Sequence, residues 1–410
     1  MKLSHIARRN IFRNTRRSIL SLIAIAVAAM TITFMFGMIE GIKDDVKTNA
    51  ILYSSGQLRI RNAEYDRFEH LSPLHLAVHE GTRMAEALLD MSEVRAVSPR
   101  IGFGAGIFID DDRHAVSALG VDFSFEAEYQ DLNRALRTGR LPEPQQNEAA
   151  IGYALAERLG LEIGDTITML AMTRTRGSNA FSFTITGLLA FPVDTMNAAL
   201  VMMPLDRAQR FLWMGSSVSE ILILLENRVS EAAGIEAIDA FLADMGLDEL
   251  HVKAWDQIGI TAGLVDYMET VYFFIALFFF ILGSTVIVNT TMMTVYERGR
   301  EIGTLGALGM GEGQMTRLFF LEAFFIGIAG SIAGVLLGSV VVGITSSIGI
   351  DYGEALDGMD MGISTIIYPI LNFKSSAFVF FYSVCVASLA ALIPCRRVAK
   401  IEPVEALRTT

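Results

Sequence analysis

The chain has 410 residues, of which 52% are hydrophobic and only 19% are charged, and its mean hydropathy is +0.44. This composition is too apolar for an ordinary soluble enzyme and indicates a membrane protein. The formal net charge of −12 at pH 7 argues against a nucleic-acid partner.

The N-terminal segment combines apolar residues at helical spacing with six basic residues. This pattern predicts a cytoplasmic amphipathic helix over 1–17 that lies on anionic lipid headgroups. The uncharged run that follows is longer than the roughly 7–15 residues of a signal-peptide core. We therefore expect a retained transmembrane span over 18–42 rather than a cleaved signal.

Residues 43–267 have a mixed pattern that predicts a large α+β domain outside the membrane. Helical spacing first extends span one as a stalk, and alternating residues then predict strands at 56–62, 115–122, 165–172 and 181–191. Helical stretches lie between the strands, and a second stalk helix is expected to lead back to the membrane. The domain contains no cysteine, and its size allows a core without disulfides.

Three further apolar runs predict transmembrane spans over 268–296, 318–347 and 375–396. Lys and Arg are concentrated before span one, after span four and in the loop 297–317, whereas the loop 348–374 is acidic. By the positive-inside rule, both termini, including the tail 397–410, and the loop 297–317 are cytoplasmic. The predicted fold has four transmembrane α-helices and a large α+β extracytoplasmic, or periplasmic, domain.

The loop between spans two and three, "VYERGREIGTLGALGMGEGQMTRLF", is rich in glycine but contains no Gly-Lys pair. A phosphate-binding loop needs that lysine, so we expect no ATP site in this chain. The loop is typical of a short helix that offers Ile302, Leu305 and Leu308 to a partner. A surface turn without a partner is the open alternative.

Two features of span three indicate helix packing. Gly330, Gly334 and Gly338 repeat at a spacing of four, which lets another helix approach closely, either in the same subunit or across a dimer. Glu322 lies near the cytoplasmic edge of the span and is assigned a structural or coupling role.

The sequence contains no motif for catalysis or for a metal site. His75 and His79 have a spacing that could bind a metal on a helix, but a plausible further ligand is missing. We expect no enzyme activity, no metal and no cofactor in this subunit.

Three stretches carry a resemblance to a known family. "YERGREIGTLGALGMGEGQMTRLFFLEAFFIGIAGSIAGVLLG" and "ALIPCRRVAKIEPVEALR" strongly resemble the C-terminal region of the FtsX-like and MacB-like permeases, which are membrane subunits of ABC transporters. In the outer domain, "GRLPEPQQNEAAIGYALAERLGLEIGDTITM" resembles the family more loosely. This chain departs from the family at Gly306, where arginine is common, and its cytoplasmic loop is less basic than usual.

The resemblance implies a type VII ABC permease in the bacterial inner membrane. It would work as a dimer with a copy or a paralogue, and ATP and Mg would be bound by separate cytoplasmic ATPase subunits. ATP-driven closure of the ATPases would move the outer domains, a mechanism called mechanotransmission. The implied coupling helix would contact the ATPase through Glu297, Arg300, Glu301, Ile302, Gly303, Thr304, Leu305, Leu308 and Gly309.

Within the family, the chain most resembles the lipoprotein-releasing permeases of the LolC and LolE type. This implies extraction of lipoproteins from the outer leaflet and their release to a periplasmic carrier. Two alternatives stay open: a MacB-like exporter of small molecules or peptides that uses an adaptor, and an FtsX-like regulator of cell-wall hydrolases. Acyl chains would enter between spans one and two of opposing subunits, lined by Phe34, Phe36 and Met38 and by Met268, Tyr272 and Phe273.

Overall fold

The computed structural model describes residues 7, 15–109, 112–258, 308–352 and 364–399. It also describes a set of residues in and near span two and the coupling segment, at 267, 270–271, 273–275, 277–279, 281–283, 285, 288–289, 292–293, 304 and 306. The chain divides into two compact units. The membrane unit comprises Met1–Asp44, Met268–Asp351 and Ile366–Thr410, and the β-rich unit comprises Asp45–Tyr267 and Tyr352–Thr365.

Three helices in the described part of the chain are long and apolar enough to cross a membrane. Helix α1 (Thr15–Asn49) contains span one and continues as a π-helical turn over Ala50–Ser55. The described residues of span two between 267 and 293 are helical, and the other residues of that predicted span lie outside the described part of the chain. The other two long helices contain spans three and four.

The helix of span three begins earlier than its apolar run. It starts at Glu312, six residues before the predicted boundary, after Gly311 in an extended conformation. An acidic side chain is favourable in the first turn, where the helix dipole is positive, so polar residues can extend the helix beyond the apolar run. Residues 312–317, which the sequence placed in the coupling segment, therefore belong to this helix.

The β-rich unit confirms the four predicted strands and the helical stretches between them, whereas the predicted second stalk helix lies largely outside the described residues. Its elements are β1 (Leu58–Asn62), α2 (Gly81–Leu89), β2 (Val94–Ile109), β3 (Asp112–Val121), α3 (Phe123–Tyr129), α4 (Leu132–Ala135), β4 (Leu136–Gly139), β5 (Glu148–Gly152), α5 (Tyr153–Leu159), β6 (Thr166–Met172), β7 (Ser178–Leu189), α6 (Asp194–Ala199), β8 (Leu200–Pro204), α7 (Leu205–Leu212), β9 (Glu220–Leu225), α8 (Glu231–Asp244) and β10 (Leu250–Ala254). The described chain also has two 3-10 helices, Tyr65–Leu71 and Trp255–Gln257. In the C-terminal part it has α9 (Glu312–Ile348), the short strands β11 (Ile350–Asp351) and β12 (Ile366–Ile367), and α10 (Phe373–Ala399).

Six of these strands close into a ring. Strand β2 pairs with β3, and the pairing then runs through β8, β5, β7 and β6 back to β2. Buried and exposed residues alternate along β6, as expected when one face of a strand points into a core. The interior is filled by apolar side chains, among them Phe103, Ile107, Ile151, Met169, Phe183 and Ile185.

The first half of β2 leaves this barrel and forms a second sheet. There β2 pairs with β9, β9 pairs with β1, and β1 pairs with β10, all antiparallel. Helix α8 covers one face of this sheet through Ile238 and Leu242, which belong to the same apolar cluster as the barrel core. The two sheets therefore share the long strand β2 and one continuous core.

Candidate functional site

Gly330, Gly334 and Gly338, which we call the glycine seam, lie where helix α9 meets helix α1. All three are buried. Methyl groups at these positions would lie 2.9 Å from the Cβ of Ile25, 2.6 Å from the Cβ of Ala29 and 2.8 Å from the Cβ of Thr33, respectively. Carbon atoms in contact are normally about 3.5–4.0 Å apart, so a larger side chain does not fit. The seam therefore joins spans one and three of a single chain.

A second pair of small residues, Gly37 and Gly41, lies further along α1. The carbonyl oxygen of Gly37 accepts a hydrogen bond from the backbone N–H of Ile370 at 2.9 Å. A methyl group at Gly41 would lie 3.0 Å from the Cα of Pro369. The segment that leads into α10 therefore packs directly against α1. The G-x-x-x-G spacing of Gly37 and Gly41 was the sequence signal that could have predicted this contact.

A buried ion pair holds the C-terminal end of the stalk, which is the part of α1 after predicted span one together with the π-helical turn Ala50–Ser55. Arg100 of β2 and Glu126 of α3 pair with side chains that are 1% and 0% exposed. The guanidinium of Arg100 also donates hydrogen bonds to the carbonyl oxygens of Leu52 and Tyr53, both at 3.2 Å. Together with Tyr129, these groups form what we call the stalk clamp.

Tyr129 completes the stalk clamp by donating a hydrogen bond from its hydroxyl to the carbonyl oxygen of Ile51 at 2.7 Å. The last carbonyls of a helix lack intrahelical donors and carry partial negative charge. A buried cation and a phenol hydroxyl satisfy them here. The end of the stalk is therefore fixed to strand β2 of the barrel and to helix α3.

Electrostatics favour the charged form of Arg100 and the neutral form of Tyr129. Burial is the largest single influence and would lower the pKa of Arg100, but the charge and hydrogen bond of Glu126, together with Tyr129 and Glu220, outweigh burial, and the pKa is raised overall. Burial raises the pKa of Tyr129 well above its ordinary value. Both groups therefore keep their donor protons across the physiological pH range.

The segment before span four is also bound to the stalk. Asp45 accepts hydrogen bonds from the backbone N–H and the hydroxyl of Ser364, at 2.7 and 2.6 Å. Asn49, one turn further along α1, donates to the same hydroxyl at 3.0 Å. The next residue, Thr365, donates from its hydroxyl to Asp194 at 3.1 Å. This group of contacts, which we call the loop tether, lies within the β-rich unit.

Replacing Asp45 by asparagine should weaken the loop tether, because the amide supplies only one acceptor oxygen in place of two. Hydrogen bonds to a charged group contribute about 1.5–3 kcal/mol, so we expect the Ser364 amide hydrogen to exchange roughly tenfold faster or more. Hydrogen exchange with mass spectrometry measures this. Asp44→Asn is the matched control, because Asp44 is exposed on the same helix. Equal exchange in both variants would contradict the role given to Asp45.

A further charged cluster covers β1. Arg59 and Arg61 are buried and lie within 3.6 and 2.7 Å of Glu220, and Arg59 also pairs with Asp66 at 3.2 Å. Hydrogen bonding from His251, followed by that from Lys253, holds the pKa of Asp66 well below its usual range. Buried charges are tolerated when they are paired in this way. No local sequence pattern indicated this cluster, because its members come from distant strands.

Exposed apolar side chains form rows on spans one and two. Ile23 and Val27 are exposed on α1, and Phe34 and Met38, both half-buried, follow on the same face at helical spacing. Phe36 points elsewhere and packs against a cluster that includes Val379. On span two, one face exposes Phe273, Phe274, Leu277, Phe278 and Ile281.

The two spans touch at Gly283. A methyl group there would lie 3.0 Å from the Cδ1 of Ile32. Of the residues predicted to line a substrate path, Phe34, Met38 and Phe273 thus lie on partly or fully exposed surfaces. Met268 and Tyr272 fall outside the described residues.

Comparison with models of protein families shows which family this chain belongs to. A model of the MacB-like periplasmic core domain matches residues 18–241, more than half of the chain. The FtsX-like permease C-terminal model matches residues 273–403. The chain belongs to the FtsX-like and MacB-like ABC transporter permeases. It is therefore a membrane permease whose β-rich unit is part of a large extracytoplasmic domain.

Three relatives show the range of the family. An uncharacterized ABC transporter permease of Methanocaldococcus jannaschii is 21% identical over 98% of this chain and 96% of its own length. The lipoprotein-releasing system transmembrane protein LolE of Haemophilus influenzae is 20% identical over 80% of this chain and 81% of its own length. The macrolide export ATP-binding/permease protein MacB of Psychrobacter cryohalolentis is 22% identical over 95% of this chain, which spans 57% of that protein.

FtsX-like permeases work with cytoplasmic ATPase subunits, and the predicted coupling segment is only partly described by the structure. Thr304 and Gly306 are helical, and the N–H of Leu308 donates to the carbonyl of Thr304 at 3.1 Å. Leu308 is 80% exposed, and Gly309 has a φ of +92°, which favours glycine and ends this turn. The other predicted coupling residues, Glu297, Arg300, Glu301, Ile302, Gly303 and Leu305, lie outside the described residues.

Two remaining predictions concern ionisable groups of the permease. Glu322 is buried in α9 at 4% exposure. His75 and His79 are exposed in turns, not on a helix. Within the described residues, no group of three or more His, Cys, Asp or Glu side chains could hold a metal ion.

Proposed function

We propose that this permease extracts lipoproteins from the outer leaflet of the inner membrane by mechanotransmission and releases them to a periplasmic carrier. The observation that supports it most is the single helix that runs from Ser18 to Ser55 and ends in the stalk clamp. A helix of this length measures about 57 Å, against about 30 Å of hydrocarbon. Movement of span one would reach the barrel through this helix.

The proposed path of motion begins at the cytoplasmic ATPases. ATP-driven closure would displace the coupling helix, of which Leu308 is an exposed part. Helix α9 follows it directly in the chain, and the glycine seam joins α9 to α1 without intervening side chains. Close-packed contacts of this kind transmit small shifts rather than absorb them. This route requires cytoplasmic termini, as the distribution of Lys and Arg predicts.

The lipoprotein substrate is supported by sequence similarity and by surface chemistry. LolE of H. influenzae and LolC of Neisseria meningitidis are 20% and 23% identical to the chain over 80% and 77% of its length. The apolar rows on spans one and two suit acyl chains, which bind through burial of apolar surface. The similarity to MacB favours a second candidate function, the export of a small molecule or peptide.

Photo-crosslinking in live cells tests the proposal. A crosslinker at Phe34 or at Phe273 should capture acylated lipoproteins, because these positions lie on the exposed apolar rows. The same crosslinker at Phe36 is the matched control, because this side chain packs against the cluster around Val379 and should yield severalfold fewer adducts. Capture of only phospholipid or of an exported small molecule would contradict lipoprotein release. Capture of a wall hydrolase by the extracytoplasmic domain would instead support a regulator.

A further inference from the structure

A cleft of about 720 Å³ opens between the ends of helices α9 and α10. It is lined by Glu312, Gly313, Thr316, Arg317, Phe320, Leu392 and Arg396. The two helices are in contact further along, where a methyl group at Gly327 would lie 3.2 Å from the Cβ of Ala387. The volume is in the range of small-molecule sites, which is about 300–1,000 Å³. The cleft lies within the membrane unit and is separate from the apolar rows on spans one and two.

The lining of the cleft changes from polar to apolar with depth. On α9, Phe320 lies one helical turn deeper into the membrane than Thr316. On α10, which ends on this side, Leu392 lies one turn deeper than Arg396. The charged side chains are therefore at the mouth, and the apolar side chains are on the hydrocarbon side. A ligand that matches this order has a polar head and an apolar body.

The two arginines at the mouth have no acidic partner in the described part of the chain. Arg317 and Arg396 are exposed, and neither forms an ion pair with an acidic side chain among the residues that the structure describes. They come from different helices but line one cleft, as two contacts to a single anion would. Gly311, at the start of α9, supplies no side-chain cap, so the first backbone N–H groups of that helix add positive potential at the mouth.

We propose that this cleft binds a glycerophospholipid with an amine headgroup. Arg317 and Arg396 would bind the phosphate, since guanidinium groups pair well with phosphate oxygens. Glu312, at the same mouth, would bind the ammonium group. Phe320 and Leu392 would contact the first acyl carbons. With the proposed orientation the lipid belongs to the inner leaflet, and the inference does not depend on which substrate the permease moves.

The test uses the full chain, purified and delipidated, with native mass spectrometry as the readout. Phosphatidylethanolamine is added back, and retained lipid is counted. The double variant R317Q/R396Q should reduce apparent affinity for this lipid by about tenfold or more, because it removes two charge-assisted contacts. The matched control is Lys374→Gln, an exposed cation at the opposite end of α10. Equal retention by the double variant and the wild type would overturn the site.

Two further binding measurements test which part of the lipid the cleft recognises. Glycerophosphoethanolamine, which has the same headgroup but no acyl chains, should bind at least tenfold more weakly than the lipid. Equal binding would assign the cleft to a soluble phosphoester and overturn the lipid proposal. Glu312→Gln should lower the preference for phosphatidylethanolamine over phosphatidylglycerol severalfold. An unchanged preference would overturn the role of Glu312 and the amine headgroup.

Discussion

Replacing Gly334 by alanine should destabilise the permease by about 1–3 kcal/mol, the usual cost of inserting a methyl group into a packed contact. The new methyl group would meet the carbonyl oxygen of Ala26 and would lie 2.6 Å from the Cβ of Ala29. Neither neighbour is the flexible end of a side chain, so helices α1 and α9 would have to move apart. Alanine is the better helix former by about 1 kcal/mol, which makes any loss of stability attributable to the seam.

The matched control for this substitution is Gly343→Ala on the same helix. A methyl group at Gly343 meets nothing within 4 Å. This variant should be as stable as the wild type or slightly more stable. Denaturant titration of the purified chain in detergent micelles measures both changes. If both alanine variants had the same stability, the seam would not be the close contact described above.

Replacing Arg100 by methionine should have the largest effect on stability, a loss of about 3–5 kcal/mol. The substitution leaves the Glu126 carboxylate buried without its cation, and it removes the donors to the carbonyl oxygens of Leu52 and Tyr53. Arg95→Met is the matched control, because Arg95 is an exposed residue of the same strand and should change stability little. Similar losses in the two variants would contradict the stalk clamp.

The double variant R100M/E126L separates the effect of the stalk clamp on stability from its effect on the transmission of motion to the extracytoplasmic domain. Replacing both members of a buried ion pair by apolar residues is often neutral or stabilising, so much of the lost stability should return. The stalk carbonyls nevertheless still lack the Arg100 donors. We expect a folded permease whose substrate release is strongly reduced. Full activity of this variant would show that the clamp contributes to folding alone.

Much of the fold could be predicted from local patterns. Strand β6 and helix α5 were predicted because alternating or helical spacing extends over each whole element. The closure of the barrel could not be predicted from local patterns. It depends on pairing β2 with β6 and β3 with β8, and these segments are distant in sequence. Local periodicity identifies which residues face a core, but it carries no information on which strands become neighbours.

The parts of the candidate site that could be predicted from the sequence are those marked by a regular spacing of residues. Three glycines four residues apart predicted a close helix contact, although the spacing left open whether the partner helix belongs to the same subunit. The same reasoning applied to Gly37 and Gly41 would have predicted a close contact on α1, where the segment before α10 packs. The stalk clamp had no such signal. Arg100 and Glu126 are 26 residues apart, and each is an ordinary charged residue until the fold buries both.

On the proposed mechanism, motion generated at the cytoplasmic ATPases reaches the extracytoplasmic domain through α1 and the stalk clamp. The most direct test purifies the permease from its native membrane with its bound ATPase subunits. Hydrogen exchange is then compared between the nucleotide-free complex and the complex trapped with ATP and vanadate. We expect nucleotide-dependent changes at 45–55 and along β2 in the wild type, and loss of the change along β2 in R100M/E126L. Identical exchange of the extracytoplasmic domain in both nucleotide states of the wild type would contradict mechanotransmission.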